Sequence, residues 1–174
     1  YTGRTEAYFP EDMVKEFKKR GISVADAYQS DEEGRRLTPR FHENEFVILK
    51  PDQSTKKTLL GRVSGMKIVP LEYKKSKPYG ISPRNVGQYF MQEALMTDAE
   101  TAPLVIIKGM AGTAKTFYSL AVGMENVYNN PSKEYRRVIV CRPNAQFDDD
   151  IGFLPGDEKE KISPLMRPVI DNLE

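Results

Sequence analysis

Eight consecutive residues, Gly109-Met110-Ala111-Gly112-Thr113-Ala114-Lys115-Thr116, carry the clearest chemistry in the chain. They follow the order G-x-x-x-x-G-K-[ST], in which glycines let the main chain wrap a polyphosphate so that successive N–H groups point inward. A helix starting near Lys115 would aim its positive end at the same place. Lys115 is expected to reach the β- and γ-phosphates as a point charge and Thr116 to place its hydroxyl on a magnesium ion. These two are the catalytic candidates. Gly109, Met110, Ala111, Gly112, Thr113 and Ala114 complete the cradle, and ATP with Mg2+ is the expected ligand. Ala114 departs from the pattern, which has glycine before the lysine. Its methyl matters only if that position needs positive φ or a very close approach to the ligand.

Gln88 lies 27 positions before Lys115, within Pro83-Arg84-Asn85-Val86-Gly87-Gln88. A carboxamide pairs with both the N6 donor and the N7 acceptor of adenine, so Gln88 is the candidate for reading the base. The single cysteine, Cys141, and the single histidine, His42, cannot build a structural zinc site or a disulfide within the chain. Cys141 reads as a buried structural thiol, and a reducing, cytoplasmic compartment fits this usage. The run Asp148-Asp149-Asp150 reads as solvated surface.

The elements that must hold these residues are legible around the loop. Residues 103–108 are almost unbroken apolar, as a central parallel strand buried on both faces requires. The loop follows, then a helix from Lys115 to about Val127 and a second apolar run over 137–141. Strand, loop, helix and strand make a right-handed βαβ unit. Upstream, Ser82 and Pro83 are predicted to open a helix as N-cap and first residue, with Val86, Phe90, Met91, Ala94 and Leu95 at helical spacing. Residues 74–80 read as an exposed connector. Phe46–Leu49, Leu59–Val63 and Met66–Val69 are three strand candidates separated by Pro51-Asp52 and Ser64-Gly65, a meander within a small barrel or sheet. Near it only Phe46 and Tyr73 are aromatic, too few for a base-stacking platform. Pro10-Glu11-Asp12 opens a helix that Gly21 stops, residues 1–9 lean towards strand, and residues 25–44 read as linker or solvated helix.

The fold class expected is therefore α/β: part of a RecA-like P-loop core with parallel strands, after a small β-rich module. The division is 1–44 as N-terminal segment and linker, 45–75 as meander, and 76–174 as the beginning of the nucleotide-binding domain. The chain has 26 basic and 25 acidic residues, which excludes binding to nucleic acid through bulk charge. Residues 1–80 carry 16 Lys/Arg against 12 Asp/Glu and residues 81–174 carry 10 against 13, so a local contact draws more easily on the first half. No apolar run is long enough to span a membrane. Beginning at Tyr1 and stopping at Glu174, the chain reads as a piece of a longer protein.

Four segments resemble the PhoH-like family, in the form where a PIN ribonuclease domain precedes the PhoH domain. They are YGISPRNVGQ (79–88), PLVIIKGMAGTAKT (103–116), VIVCRP (138–143) and DIGFLPGDEKEKISPLMRPVIDNLE (150–174). The last, with Gly152-Phe153-Leu154-Pro155-Gly156-Asp157, is the most distinctive. The resemblance implies a helicase-related ATPase that acts on RNA and assembles as a homo-oligomeric ring, often a hexamer. It implies that Arg142, in the Arg142-Pro143 pair, touches the nucleic-acid backbone. It also places the second acidic motif after residue 174 and the PIN acids before Tyr1, so this piece should bind nucleotide weakly and hydrolyse little. Three readings stay open: an ATP-driven RNA remodelling enzyme, a nucleotide-sensing oligomerisation module without turnover, and a small-molecule P-loop kinase.

Overall fold

The computed structural model describes residues 2–53, 57–132 and 134–141. They form two compact units. One comprises the chain up to Lys75 together with Thr97–Leu104, and the other comprises Ser76–Met96 and the residues from Val105 onward.

The N-terminal unit is built on a five-stranded mixed sheet. β1 (Arg4–Phe9) runs parallel to β5 (Phe46–Pro51), with Arg4 opposite Phe46 and Tyr8 opposite Lys50. β6 (Leu59–Ser64) and β7 (Lys67–Pro70) continue antiparallel from β5, and β2 (Ile22–Ser23) pairs antiparallel with β7, giving the order β1-β5-β6-β7-β2. The segment after β2 returns to the opposite edge. Tyr28 exchanges main-chain hydrogen bonds with Tyr8 of β1 at 2.7 and 2.8 Å, so residues 22–28 touch both edges and curl the sheet into a small barrel. Closure of this kind removes the unpaired edges that invite aggregation.

Strand alternation explains the interior. Ala7 and Phe9 of β1, Val47 and Leu49 of β5, Val63 of β6 and Ile68 of β7 point inward and are buried with Ile22 and Ala27. α1 (Val14–Arg20) inserts Phe17 into this core, its ring 6.3 Å from that of Phe9. The helix stops at Gly21, whose φ of 78° belongs to the left-handed region. A side chain there would meet the Ile68 carbonyl oxygen at 2.5 Å, so only glycine fits.

The polar stretch read as a linker or solvated helix contains no α-helix, and part of it is ordered as strand. β3 (Gln29–Ser30) and β4 (Arg36–Leu37) form a short antiparallel hairpin whose turn is fixed by Asp31, the acceptor for the amides of Glu33 and Arg35 at 3.0 and 2.8 Å. The first 44 residues and the meander share one core.

In the second unit α2 (Val86–Met96) packs on α3 (Lys115–Met124), which runs on as a π turn over Glu125–Asn129. Phe90 and Met91 of α2 and Tyr118, Leu120, Ala121 and Val122 of α3 are buried between them and their surroundings. α2 begins three residues later than Ser82 as N-cap would place it. The Asn85 carbonyl accepts the first helical bond, from Tyr89 N, and its side-chain oxygen accepts from Gln88 N at 2.9 Å, so Asn85 is the N-cap. Asparagine is among the strongest caps, and it outcompetes the serine.

The mixed α/β class holds, yet the runs 103–108 and 137–141 carry no ladder among the described residues. They form no strand, and Leu104, Ile106 and Ile139 are 77, 82 and 71% exposed. A strand apolar on both faces needs pairing and cover on both sides. The Val138 side chain lies beside Gly123 of α3, where an added Cβ would meet it at 3.2 Å. Cys141 is exposed, not buried as its apolar surroundings suggested.

Candidate functional site

The glycine-rich loop is an exposed turn leading directly into α3. Gly112 takes φ 74°, and a Cβ built on it would meet nothing within 4 Å, so backbone conformation rather than crowding favours glycine there. Ala114, immediately before the helix, also sits in the left-handed region, at φ 60° and ψ 23°. That is the condition under which its methyl matters. An L-residue with a Cβ is disfavoured there by roughly 1–2 kcal/mol, so the loop holds a strained residue at the point where the pattern has glycine.

The Lys115 ammonium has folded back into the turn. It donates to the Gly109 carbonyl at 2.9 Å, to the Met110 carbonyl, and to the Thr113 hydroxyl at 3.2 Å, while that hydroxyl donates to the Met110 carbonyl at 2.7 Å. Every contact of the ammonium is thus an oxygen of its own loop. The residues fit a polyphosphate: a cation already sits at the centre of the turn, and its acceptors are weak neutral oxygens that phosphate oxygens would replace with stronger charge-assisted bonds. Thr116, the second residue of α3, is exposed, and its hydroxyl has no hydrogen-bond partner among the described residues.

Gln88 lies in the first turn of α2, in the same unit as the loop. Its Oε1 accepts from Arg84 N at 2.8 Å. Together with the Asn85 bond to Gln88 N this resembles a capping box shifted by one residue, and it is the signal the sequence reading missed. The bond fixes which way the carboxamide faces, because only its oxygen can accept from an amide N–H. The oxygen keeps a second lone pair and the amino group stays available as donor, so capping and base reading are compatible.

Two neighbouring polar groups enter from outside the sequence reading. Tyr118 is 1% exposed, and its hydroxyl has no hydrogen-bond partner among the described residues. Burial pushes its pKa up, and the nearby Tyr89 adds to the rise while Arg84 opposes it. Glu125 Oε2 accepts from Tyr79 N and from Asn129 Nδ2, both at 2.8 Å, and ties the π turn to the connector before α2. One shallow hollow of about 370 Å³ belongs to the barrel unit, lined by Glu11, Asp12, Val14, Lys15, Pro51 and Lys57, and contains no loop residue. Arg142, the acids 148–150 and the GFLPG stretch lie outside the described residues.

A glycine turn closing on a lysine at the first residue of a helix, within a mixed α/β fold, defines the P-loop class of nucleotide-binding proteins. The comparisons narrow this. The profile of the family described as PhoH-like protein matches residues 80–174, more than half of the chain, and the chain belongs to that family. Along its whole length it is 32% identical to Protein PhoH2 of Bacillus subtilis, covering 37% of that protein. It is 35% identical over 116 residues to Protein PhoH of Escherichia coli, covering 67% of this chain and 31% of the relative. With the PhoH-like protein of Mycobacterium tuberculosis the identity is 33% over 140 residues, covering 80% of this chain and 36% of the relative. The chain therefore spans roughly a third of the length of these curated relatives. No solved structure matches it. No helix among the described residues is long and apolar enough to cross a membrane.

Proposed function

We propose that this chain binds ATP with Mg2+ through the turn 109–116, and that the intact protein hydrolyses ATP in a cycle coupled to RNA binding or unwinding. The observation that carries the reading is the Lys115 ammonium held inside the turn by the Gly109 carbonyl and the Thr113 hydroxyl. Lys115 exchanges those oxygens for β- and γ-phosphate oxygens, Thr116 holds the magnesium ion, and Gln88 reads the adenine edge. Gly109, Met110, Ala111, Gly112, Thr113 and Ala114 supply the main-chain cradle. The bound magnesium neutralises charge on the transferring phosphate.

RNA as partner, a homo-oligomeric ring, a backbone contact by Arg142, a cytoplasmic setting and a preceding PIN nuclease domain belong to the same proposal and rest on family resemblance. Release of inorganic phosphate by the intact protein, with and without single-stranded RNA, tests it. RNA should raise the rate, and Lys115→Ala should abolish it. Turnover that survived Lys115→Ala would place the active lysine elsewhere, and turnover indifferent to RNA would favour a nucleotide-sensing module.

A further inference from the structure

We propose that the outer face of the N-terminal barrel around Tyr8 is a stacking platform for single-stranded RNA. The fold brings together aromatic residues that the sequence scatters. Tyr8 points outward between the buried Ala7 and Phe9 and is 43% exposed. On one side its neighbour in the parallel pairing is Lys50. On the other, through the main-chain bridge, is Tyr28, its ring centroid 6.0 Å away and tilted by 32°. Arg36 lies over the Tyr28 ring, its guanidinium 4.2 Å from the ring centre. The row therefore reads Lys50, Tyr8, and Tyr28 capped by Arg36: one open ring beside a guanidinium stacked on a second, and bases stack on both kinds of surface. Non-specific single-strand sites are built of these parts, aromatic faces for the bases and cations for the phosphates.

The row is ordered in advance. The Tyr28 hydroxyl donates to Asp52 at 3.0 Å, and Asp52 in turn accepts from the amide of Glu11 at 3.2 Å, so the ring is anchored at its far end. Binding would not have to fix it. Lys50 pairs with Glu6, both side chains are well exposed, and a pair so open to water contributes little, so Lys50 is free to change partners. Arg36 lies 3.7 Å from Asp52, which is only 14% exposed, and is held over the Tyr28 ring. Glu6 and Asp52 also keep the local charge near balance, so base stacking rather than phosphate attraction must supply most of the affinity. The surroundings favour a polynucleotide over a protein partner. Arg4 and Glu6 of β1 and Gln29 of β3 are exposed and polar, and the exposed aliphatic beside them among the described residues, Leu37 opposite Gln29, is one side chain rather than a rim that excludes water from a hot spot. Duplex RNA hides its base faces and is not expected to dock.

The test is independent of the ATP reading, because it is run on the 174-residue chain without nucleotide or magnesium. Fluorescence anisotropy of a labelled oligo(U) of about 12 nucleotides, long enough for one small-barrel site, measures binding. The native chain should bind it and ignore a blunt RNA duplex. Tyr8→Phe should bind like the native chain, while Tyr8→Ala and Arg36→Ala should bind roughly tenfold or more weakly. Tyr8→Leu, which keeps an apolar side chain without a ring, should fail like Tyr8→Ala with an unchanged circular dichroism melt. The dependence of log affinity on log salt should be shallow, with a slope of about −1.4 for two phosphate contacts. No binding by the native chain, native-like binding by Tyr8→Leu and Arg36→Ala, or equal binding of the duplex would overturn the proposal.

Discussion

The Lys115 ammonium donates to the Gly109 carbonyl at 2.9 Å, closing the glycine-rich turn on itself. The contact spans the loop from its first residue to the first residue of α3. It also means that the residue expected to hold phosphate is satisfied by neutral oxygens, so a nucleotide must displace bonds that are individually weak. The energetics of this region then turn on two further residues, Ala114 and Gln88.

Ala114 is held at φ 60°, where glycine is relieved of the Cβ clash. Ala114→Gly should therefore stabilise the chain by about 0.5–1 kcal/mol, the clash relieved less the extra freedom of glycine in the unfolded state. A thermal melt should move up by about 2–3 °C for a chain of this size. Nucleotide affinity should not fall. A lower midpoint would mean that the methyl makes a contact outweighing its backbone strain.

Gln88 both caps and, in the proposed function, reads. Gln88→Ala removes the Arg84 N–H acceptor and should lower stability by about 0.5–1 kcal/mol. It should also weaken ATP more than GTP in parallel titrations. Gln88→Glu separates the roles: a carboxylate still accepts from Arg84 N but cannot donate to adenine N7. Equal loss of ATP and GTP in both variants would leave Gln88 as a cap only.

Tyr118 carries a buried hydroxyl with no partner among the described residues. Removing it relieves a desolvated polar group, so Tyr118→Phe should raise stability by about 1 kcal/mol, read as a higher melting temperature. A fall would show that the hydroxyl is bonded in solution.

Glu45 supplies the pH dependence. It is 4% exposed. Burial pushes its carboxyl up, but the Thr5 hydroxyl, the His42 amide at 2.9 Å and the His42 ring outweigh that, and its pKa ends below the usual 4.5. A carboxyl lowered on folding adds stability that is complete above its unfolded value and is lost as pH falls through the folded one. Denaturant melts should show Glu45→Gln less stable than the native chain at pH 7, with the gap narrowing as pH falls below that usual value of 4.5. A gap that stayed constant to pH 3 would mean that the carboxyl's charge contributes nothing.

Local pattern made part of this architecture legible. The meander is written in three apolar runs parted by turn residues, and β5, β6 and β7 follow them within one or two residues. The phosphate loop is legible because its chemistry is contiguous. What periodicity cannot show is partnership across distance. The parallel pairing of β1 with β5 joins residues about 40 positions apart, and it brings the strand-leaning residues 1–9 into the same sheet as the meander. Tyr8 and Tyr28 become neighbours only through that closure, a proximity that counting aromatics along the sequence near the meander does not reveal. The α2 start was misplaced because Ser82 and Asn85 both cap well and only the bonds to Gln88 N and Arg84 N decide between them. The runs 103–108 and 137–141 have the composition of central strands, and composition alone does not supply the neighbours they need.

The central claim is that the Lys115 ammonium and its turn take up a polyphosphate. Its most direct test is equilibrium dialysis of radiolabelled ATP against the chain, with and without Mg2+, in native and Lys115→Ala forms. The account predicts magnesium-dependent binding by the native chain and a loss of about 10- to 100-fold in the variant, the range for one charge-assisted hydrogen-bonding group. Equal affinity in both forms, or affinity unaffected by Mg2+, would contradict it.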